Sequence, residues 1–370
     1  MLSFALAFLV SLAITLFVVR FAHLHEGILG DTDLIGVQKF HARPVPRIRG
    51  VGILIGLVVS ATELRWSYPA VSNGILAIVA CGMPAFLSGL LEDLTKRVTP
   101  VVRLVCTMAA AVCAYFLLGI AVTRISVPPL DFLLTYGVIS CLVTVVAVAA
   151  LANAINIIDG FNGLASMVAV MMFASLAYVA FQVSDPVVLS ASLIMMGAVI
   201  GFFIWNFPAG LIFLGDGGAY FIGFMLGELS IALVMRNRDV SAWFPVLLFM
   251  YPIFETCFSI YRKKFIRGIS PGIPDGVHLH MLVYKRLMRW AVGAQNAREI
   301  TRRNSLTSPY LWLLCLVAVI PATLFWRHTV HLFCFVVVFV FTYVWLYASI
   351  VRFKSPRWMV FRRGAHSGKK

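Results

Sequence analysis

Three aspartates, Asp93, Asp159 and Asp216, each follow closely behind a long apolar run, at 73–91, 132–152 and 187–205 respectively. Ionisable groups kept at membrane depth are costly and usually functional. Carboxylates so placed bind hard cations or exchange protons with phosphates and hydroxyls. The first lies in Glu92-Asp93, just ahead of Lys96-Arg97. That pattern reads either as a solvated helix end paired with its cations or as a metal- or proton-handling pair. The second belongs to a series, Asn153, Asn156, Asp159 and Asn162, that recurs every third residue. This spacing puts Asn153 and Asn156 on one helix face, with Asp159 and Asn162 continuing it. A helix cap needs one such side chain, not a regular series, so the element reads as a ligand site. The third stands in Gly215-Asp216-Gly217-Gly218. Bare backbone on both sides offers its carboxylate to Mg²⁺ and bound phosphates, with an N-cap before the next helix as the plainer reading.

Two histidines, His278 and His280, follow Pro274-Asp275-Gly276-Val277 in a basic segment. Two apart, they suit an extended strand of chain and donate to phosphates or a nucleotide. A second basic segment, Lys39 to Gly50, is stiffened by Pro44 and Pro46 and reads as a topology signal beside the membrane. Glu255, inside an apolar run near Pro252, reads as a buried acid that partners a neighbouring helix or supports the site. The chain has no P-loop, no G-x-G-x-x-G and no H-E-x-x-H. Its seven cysteines all fall in apolar runs without a C-x-x-C pair, and read as packing residues.

The elements that must position these groups are membrane helices. Of 370 residues, 61% are hydrophobic and 12% charged, and the mean hydropathy is +0.95. The runs are continuously apolar rather than alternating, which argues against a β-barrel. About eleven transmembrane helices are expected, at 2–20, 50–62, 73–91, 101–122, 132–152, 163–182, 187–205, 219–235, 242–261, 309–326 and 329–351. The fold class is therefore all-α and polytopic. One multi-span domain covers 1–352, with a basic tail at 353–370. Leu2–Val19 reads as a retained helix rather than a signal peptide, because no positive charge precedes it. When alternate loops are assigned to opposite sides, 25 Lys and Arg fall on one side and 5 on the other. The positive-inside rule then puts the N-terminus outside and the C-terminus in the cytoplasm. The loops at 22–49, 92–100, 153–162, 206–218 and 262–308 all face the cytoplasm, and they carry the candidate residues. The net charge of +15 is thus a membrane-sided bias suited to anionic lipids and phosphorylated ligands, and nucleic acid is not an expected partner.

Taken in order, these elements resemble the polyprenyl-phosphate N-acetylhexosamine-1-phosphate transferases, integral membrane enzymes that begin bacterial surface-glycan synthesis. The resemblance runs from Lys39 to Lys285 and rests on N-x-x-N-x-x-D-G-x-x-G-L-A at Asn153–Ala165 and on N-F-P-A…F-x-G-D-x-G at Asn206–Gly218. It implies transfer of a sugar-1-phosphate from a UDP-N-acetylhexosamine to undecaprenyl phosphate, with release of UMP, at the cytoplasmic face of the bacterial inner membrane. It implies Mg²⁺, with Mn²⁺ as an alternative, and a homodimer. By motif match, it implies Asp216 and Asn156 as metal ligands and Asp93, Glu92 and Asp159 as catalytic carboxylates. It also implies substrate-binding roles for Lys39, Lys96, Arg103, Asn153, Asn162, His278 and His280. The chain departs from the pattern at Glu92 and Asn162, where the family has aspartates, at Met281, where a further histidine is common, and at Arg49, in the first position of an early Gly-Gly. These departures shift weight from Glu92 to Asp93 and away from the peptidoglycan branch, the phospho-MurNAc-pentapeptide transferases. A secondary transporter is the competing class, but transporters place such acids near the midplane, often within inverted repeats.

Overall fold

The computed structural model describes residues 1–21, 49–270, 276–288 and 297–352. Its long elements are α1 (Leu2–Arg20), α2 (Val51–Glu63), α3 (Pro69–Thr95), α4 (Pro100–Leu118), α5 (Gly137–Ile158), α6 (Leu164–Gln182), α7 (Pro186–Asn206) and α8 (Gly215–Arg236). They are followed by α9 (Trp243–Leu248), α10 (Met250–Tyr261), the short α11 (Leu279–Leu282), α12 (Ala297–Leu324) and α13 (Thr329–Val351). Among the described residues, nine helices are long and apolar enough to cross a membrane. The chain is an all-α, multi-pass membrane protein.

Each of the eleven expected runs contains helix, but the bounds shift: α4 stops at Leu118 rather than 122, and α5 starts at Gly137 after a turn at 134–136. Two further runs depart from a simple span. α2 has only 13 residues. It lies antiparallel to α1, from Gly52 against the Thr15 hydroxyl to Glu63, which accepts a hydrogen bond from Ser3 (3.2 Å). Close packing on a longer neighbour compensates for its short reach. The run at 242–261 is broken at Phe249 into α9 and α10. Pro252 has no N–H to give the carbonyl four residues back, that of Leu248, where α9 ends.

α8 is the buried axis of the molecule, with every residue from Gly217 to Val234 buried. A helix apolar on all sides must be enclosed. It is enclosed chiefly by α3 and α5, with α4, α6 and α7 closing the ring. Contacts on small residues let these helices approach closely, as is usual where lipid offers no hydrophobic drive to association. On the opposite face from the candidate residues, Arg124 donates to the carbonyls of Val234, Asn237, Arg238 and Val240 and so ties off the end of α8.

Candidate active site

α3, α5 and α8 are arranged so that the ends of the first two meet the beginning of the third. The crossing is very tight. A Cβ on Gly89 of α3 would lie 2.5 Å from the Asp216 carbonyl carbon and the Gly217 nitrogen, so only glycine fits there. This contact brings Asp93, one turn further along α3, onto the open N-terminus of α8. Asp93 is 1% exposed. Its carboxylate accepts hydrogen bonds from the backbone N–H groups of Asp216 (3.3 Å) and Gly217 (3.1 Å). These are first-turn donors with no partner inside their own helix, and an anion is favoured at that helix end. Arg49, just ahead of α2, stands 3.6 Å from Asp93 and lies over the Phe213 ring at 5.6 Å.

Asp216 projects from the first turn of α8. One of its oxygens accepts from the Asn156 amide at 2.6 Å. The other is paired with the Arg103 guanidinium of α4, which also lies 5.6 Å over Tyr220. Asp159 accepts from the Gly215 N–H at 3.2 Å. Burial pushes its carboxyl up to about 7, and the nearby Asp216 and Asp93 charges add to the rise, while Arg49 and the Gly215 N–H oppose it. Gly215 holds a left-handed backbone (φ 71), which turns that N–H towards Asp159 at little cost.

These groups surround a cavity of about 300 Å³. Arg49, Asp93, Lys96, Asn156, Asp159, Asp216, His278 and His280 supply its polar lining, and Ile157, Phe161, Phe213 and Met281 supply apolar walls. Lys96 ends α3 in the left-handed conformation (φ 57) and stands exposed at the rim. Of the residues expected from sequence, Asp93, Asp159, Asp216, Asn156, Lys96, His278 and His280 line one cavity, and Arg103 reaches it through Asp216. Asn153 is one turn back and accepts from the Tyr220 hydroxyl (3.2 Å). Lys39, Pro274, Asp275 and the tail at 353–370 lie outside the described residues.

Several local expectations change. The three-residue series does not continue along one helix. α5 ends at Ile158, Asp159 caps it, and Asn162 falls in the turn beyond. Asn162 is 3% exposed and turned away from the cavity, donating to the Pro208 carbonyl and Ser305 hydroxyl at 3.2 Å each. Its backbone is held as well, by Asn304 and Ser308 of α12. Glu92 also points elsewhere, accepting from the Val98 N–H (2.7 Å) to close the turn after α3. Asp216 is not the N-cap of α8, because the helix already starts at Gly215. The histidine segment is extended only at His278, and His280 is already inside α11. Arg49 and Phe213 entered the sequence reading only as a departure from pattern and as a motif position.

The donor set fits a hard divalent cation. Among the described residues, no three His, Cys, Asp or Glu side chains gather into a metal cage. Mg²⁺ does not require one, since it is held by one or two carboxylates plus substrate phosphates and water. Asp216, with Asp159 and Asn156 beside it, offers oxygen donors of that kind.

The glycosyl transferase family 4 model matches residues 75–234, which span α3 to α8. A Bacillus subtilis (strain 168) protein named as a probable undecaprenyl-phosphate N-acetylglucosaminyl 1-phosphate transferase is 28% identical over 76% of this chain and 77% of its own length. A Mycolicibacterium smegmatis decaprenyl-phosphate N-acetylglucosaminephosphotransferase is 30% identical over 66% of each chain. A phospho-N-acetylmuramoyl-pentapeptide-transferase of Streptococcus thermophilus is 27% identical over 61% of this chain and 66% of its own. The matched segment carries Asp93, Asn156, Asp159 and Asp216, and the chain belongs to glycosyl transferase family 4, among the polyprenyl-phosphate N-acetylhexosamine-1-phosphate transferases.

Proposed function

We propose that this protein transfers N-acetylhexosamine-1-phosphate from a UDP-sugar to undecaprenyl phosphate, giving a lipid-diphosphate-sugar and UMP and starting a surface glycan such as O-antigen. The observation that carries this reading is the single cavity in which Asp93, Asp159 and Asp216 meet Arg49, Lys96, Arg103, His278 and His280 at one end of a membrane bundle. In a low-dielectric setting, such a mixture suits a ligand that brings its own negative charge. The basic excess on that side, 25 residues against 5, supports a cytoplasmic cavity in the inner membrane, where soluble nucleotide sugars are available.

In this reading Asp216 and Asn156, with Asp159 adjacent, hold Mg²⁺, and the cation supplies neutralisation of the charge that builds on departing UMP. An oxygen of the lipid phosphate attacks the β-phosphorus of the UDP-sugar. The bond from that phosphorus to the α–β bridging oxygen breaks, and UMP leaves with the electron pair. Arg49 and Lys96, on the cavity wall and rim, orient the incoming phosphate, while His278 and His280 donate to the diphosphate from the facing wall. Were Asp216 to hold the cation, the Arg103 guanidinium now paired with it would be released to serve a phosphate oxygen. Its Nε is buried without a hydrogen-bond partner, so it has a donor to spare. Positioning and electrostatics suffice for this chemistry.

Relatives of the peptidoglycan type keep a second donor in view, UDP-N-acetylmuramoyl-pentapeptide. The sequence His278-Leu279-His280-Met281 argues against it: Leu279 is fully buried, and among the described residues two histidines, His278 and His280, line the cavity. The test is labelled-sugar transfer by purified protein with Mg²⁺, undecaprenyl phosphate and a panel of UDP-N-acetylhexosamines together with the pentapeptide nucleotide. Labelled lipid and UMP, both lost in Asp216→Asn, are expected. A folded protein that turns over none of these donors overturns the proposal.

A further inference from the structure

We propose that Glu255 is a positioning residue for this reaction, through which α13 fixes His278 in the cavity wall. The inference rests on the proposed transferase function and deepens it. Glu255 lies on α10 and is fully buried. It does not line the cavity, and it lies beyond the segment matched by the family model. One carboxylate oxygen accepts from the Leu279 N–H (3.0 Å) and stands 3.1 Å from His278 Nδ1. The other accepts from the Tyr343 hydroxyl of α13 (2.8 Å).

An oxygen already accepting from a backbone N–H meets His278 as an acceptor too, so Nδ1 carries the proton. That sets the ring orientation and turns Nε2 towards the cavity, where it donates to the diphosphate when it too is protonated. The ring so fixed also supports His280, whose ring stacks on His278 at 5.3 Å with 6° between planes. His280 in turn stands edge-on to Phe161 of the cavity wall at 5.6 Å.

The surrounding backbone is held by the same helix. Tyr347 of α13 donates to the Val277 carbonyl (3.3 Å), and Arg262 donates to that carbonyl (2.9 Å) and to the Tyr347 hydroxyl (3.2 Å). Lys285 donates to the Gly276 carbonyl (2.9 Å), and Arg286 to the Ile350 carbonyl at the end of α13 (2.9 Å). α13 contributes no residue to the cavity, yet it reaches His278 through one carboxylate. A staple needed only for folding would not require a buried acid whose two oxygens bridge a cavity histidine and a helix remote from the cavity.

The test is a double-mutant cycle on kcat/KM for the UDP-sugar, with Glu255→Gln, His278→Ala and the pair, each checked for its thermal midpoint. Partners that orient ligand-binding histidines are worth about 10- to 100-fold. Glu255→Gln alone is expected to lose that much, with the KM for the lipid phosphate unchanged. In the His278→Ala background it is expected to cost less than about twofold, because groups acting as one unit are not additive. Tyr343→Phe, a milder change, completes a second cycle if Glu255→Gln does not fold, and is expected to lose about three- to tenfold. Losses that multiply with His278→Ala would make Glu255 a structural acid and overturn the inference. So would full activity in both variants beside an active wild type. Wild type inactive on every donor would instead remove the transferase reading and this inference with it.

Discussion

Gly89 offers the most direct test that the α3–α8 crossing sets the geometry of the carboxylates. In Gly89→Ala the new Cβ would lie 2.5 Å from the Asp216 carbonyl carbon and the Gly217 nitrogen and 2.6 Å from the Gly217 Cα, where ordinary contact begins at 3.4 Å, so the helices must part by about 0.9 Å. Every clashing atom is backbone, so no side chain can swing aside. Overpacking of this kind costs about 1–3 kcal/mol of stability. The displaced atoms carry the N–H groups that Asp93 holds and the Cα of Asp216, and a misplacement of about 1 Å typically costs about 100-fold in rate. Transfer by detergent-purified Gly89→Ala is therefore expected to fall about 100-fold. The control is Gly74→Ala in the same helix. Its Cβ meets only the Val187 side chain, at 3.4 Å, and replacing a helical glycine stabilises by about 0.5–1 kcal/mol. Gly74→Ala should keep full activity and an equal or higher thermal midpoint. Gly89→Ala within threefold of wild type, with an unchanged midpoint, would refute the claim that this crossing positions Asp216.

Asn162→Ala removes two hydrogen bonds, a buried one to Ser305 and a part-buried one to the Pro208 carbonyl, which keeps the Ser305 hydroxyl, so at about 0.5–1.5 kcal/mol each stability should fall by about 1–3 kcal/mol. Thermal melts and KM for the UDP-sugar check this: a large KM change without a lower midpoint would return Asn162 to the ligand site. Arg124→Lys replaces a planar fork that serves four carbonyls with a single point donor, at a cost of about 2–4 kcal/mol. Its midpoint should drop while kcat/KM holds, and an unchanged midpoint would show that the clamp contributes nothing.

Much of this site was legible because membrane sequence is sparse in polar groups. Asp93, Asp159 and Asp216 stand out as aspartates that follow long apolar runs, and the loop charge bias alone assigns them to one side. Their roles were less legible. Equal spacing put Asn162 in line with Asn153 and Asn156, but α5 stops at Ile158, and Gly163 (φ 73) turns the chain so that Asn162 faces α12 instead. Glu92 adjoins Asp93 in sequence, yet neighbours on a helix point about 100° apart, and only Asp93 faces α8. Arg49, Phe213 and Glu255 depend on which helices meet. A single cation at a span edge or a single acid within a span has no periodic signal to reveal its partner.

Asp93 has two readings, general base and orienting group, and its geometry favours the second. Its oxygens accept from the Asp216 and Gly217 N–H groups and face Arg49. To take a proton, the carboxylate would have to weaken the contacts that hold the start of α8, and Asp216 would shift just when its position matters most. The chemistry does not call for that sacrifice, because a phosphate monoester is already largely ionised near neutral pH and attacks as an anion. Transfer should then show a solvent deuterium isotope effect close to one in single turnover. Asp93→Asn sets an amide NH₂ against one of the two N–H donors, each of which has its own carboxylate oxygen in the wild type, and should lower the thermal midpoint together with the rate. A large isotope effect, or an Asp93→Asn protein that is inactive but as stable as wild type, would restore the base. Under the orienting reading, Asp93 contributes to catalysis by keeping Asp216 in place.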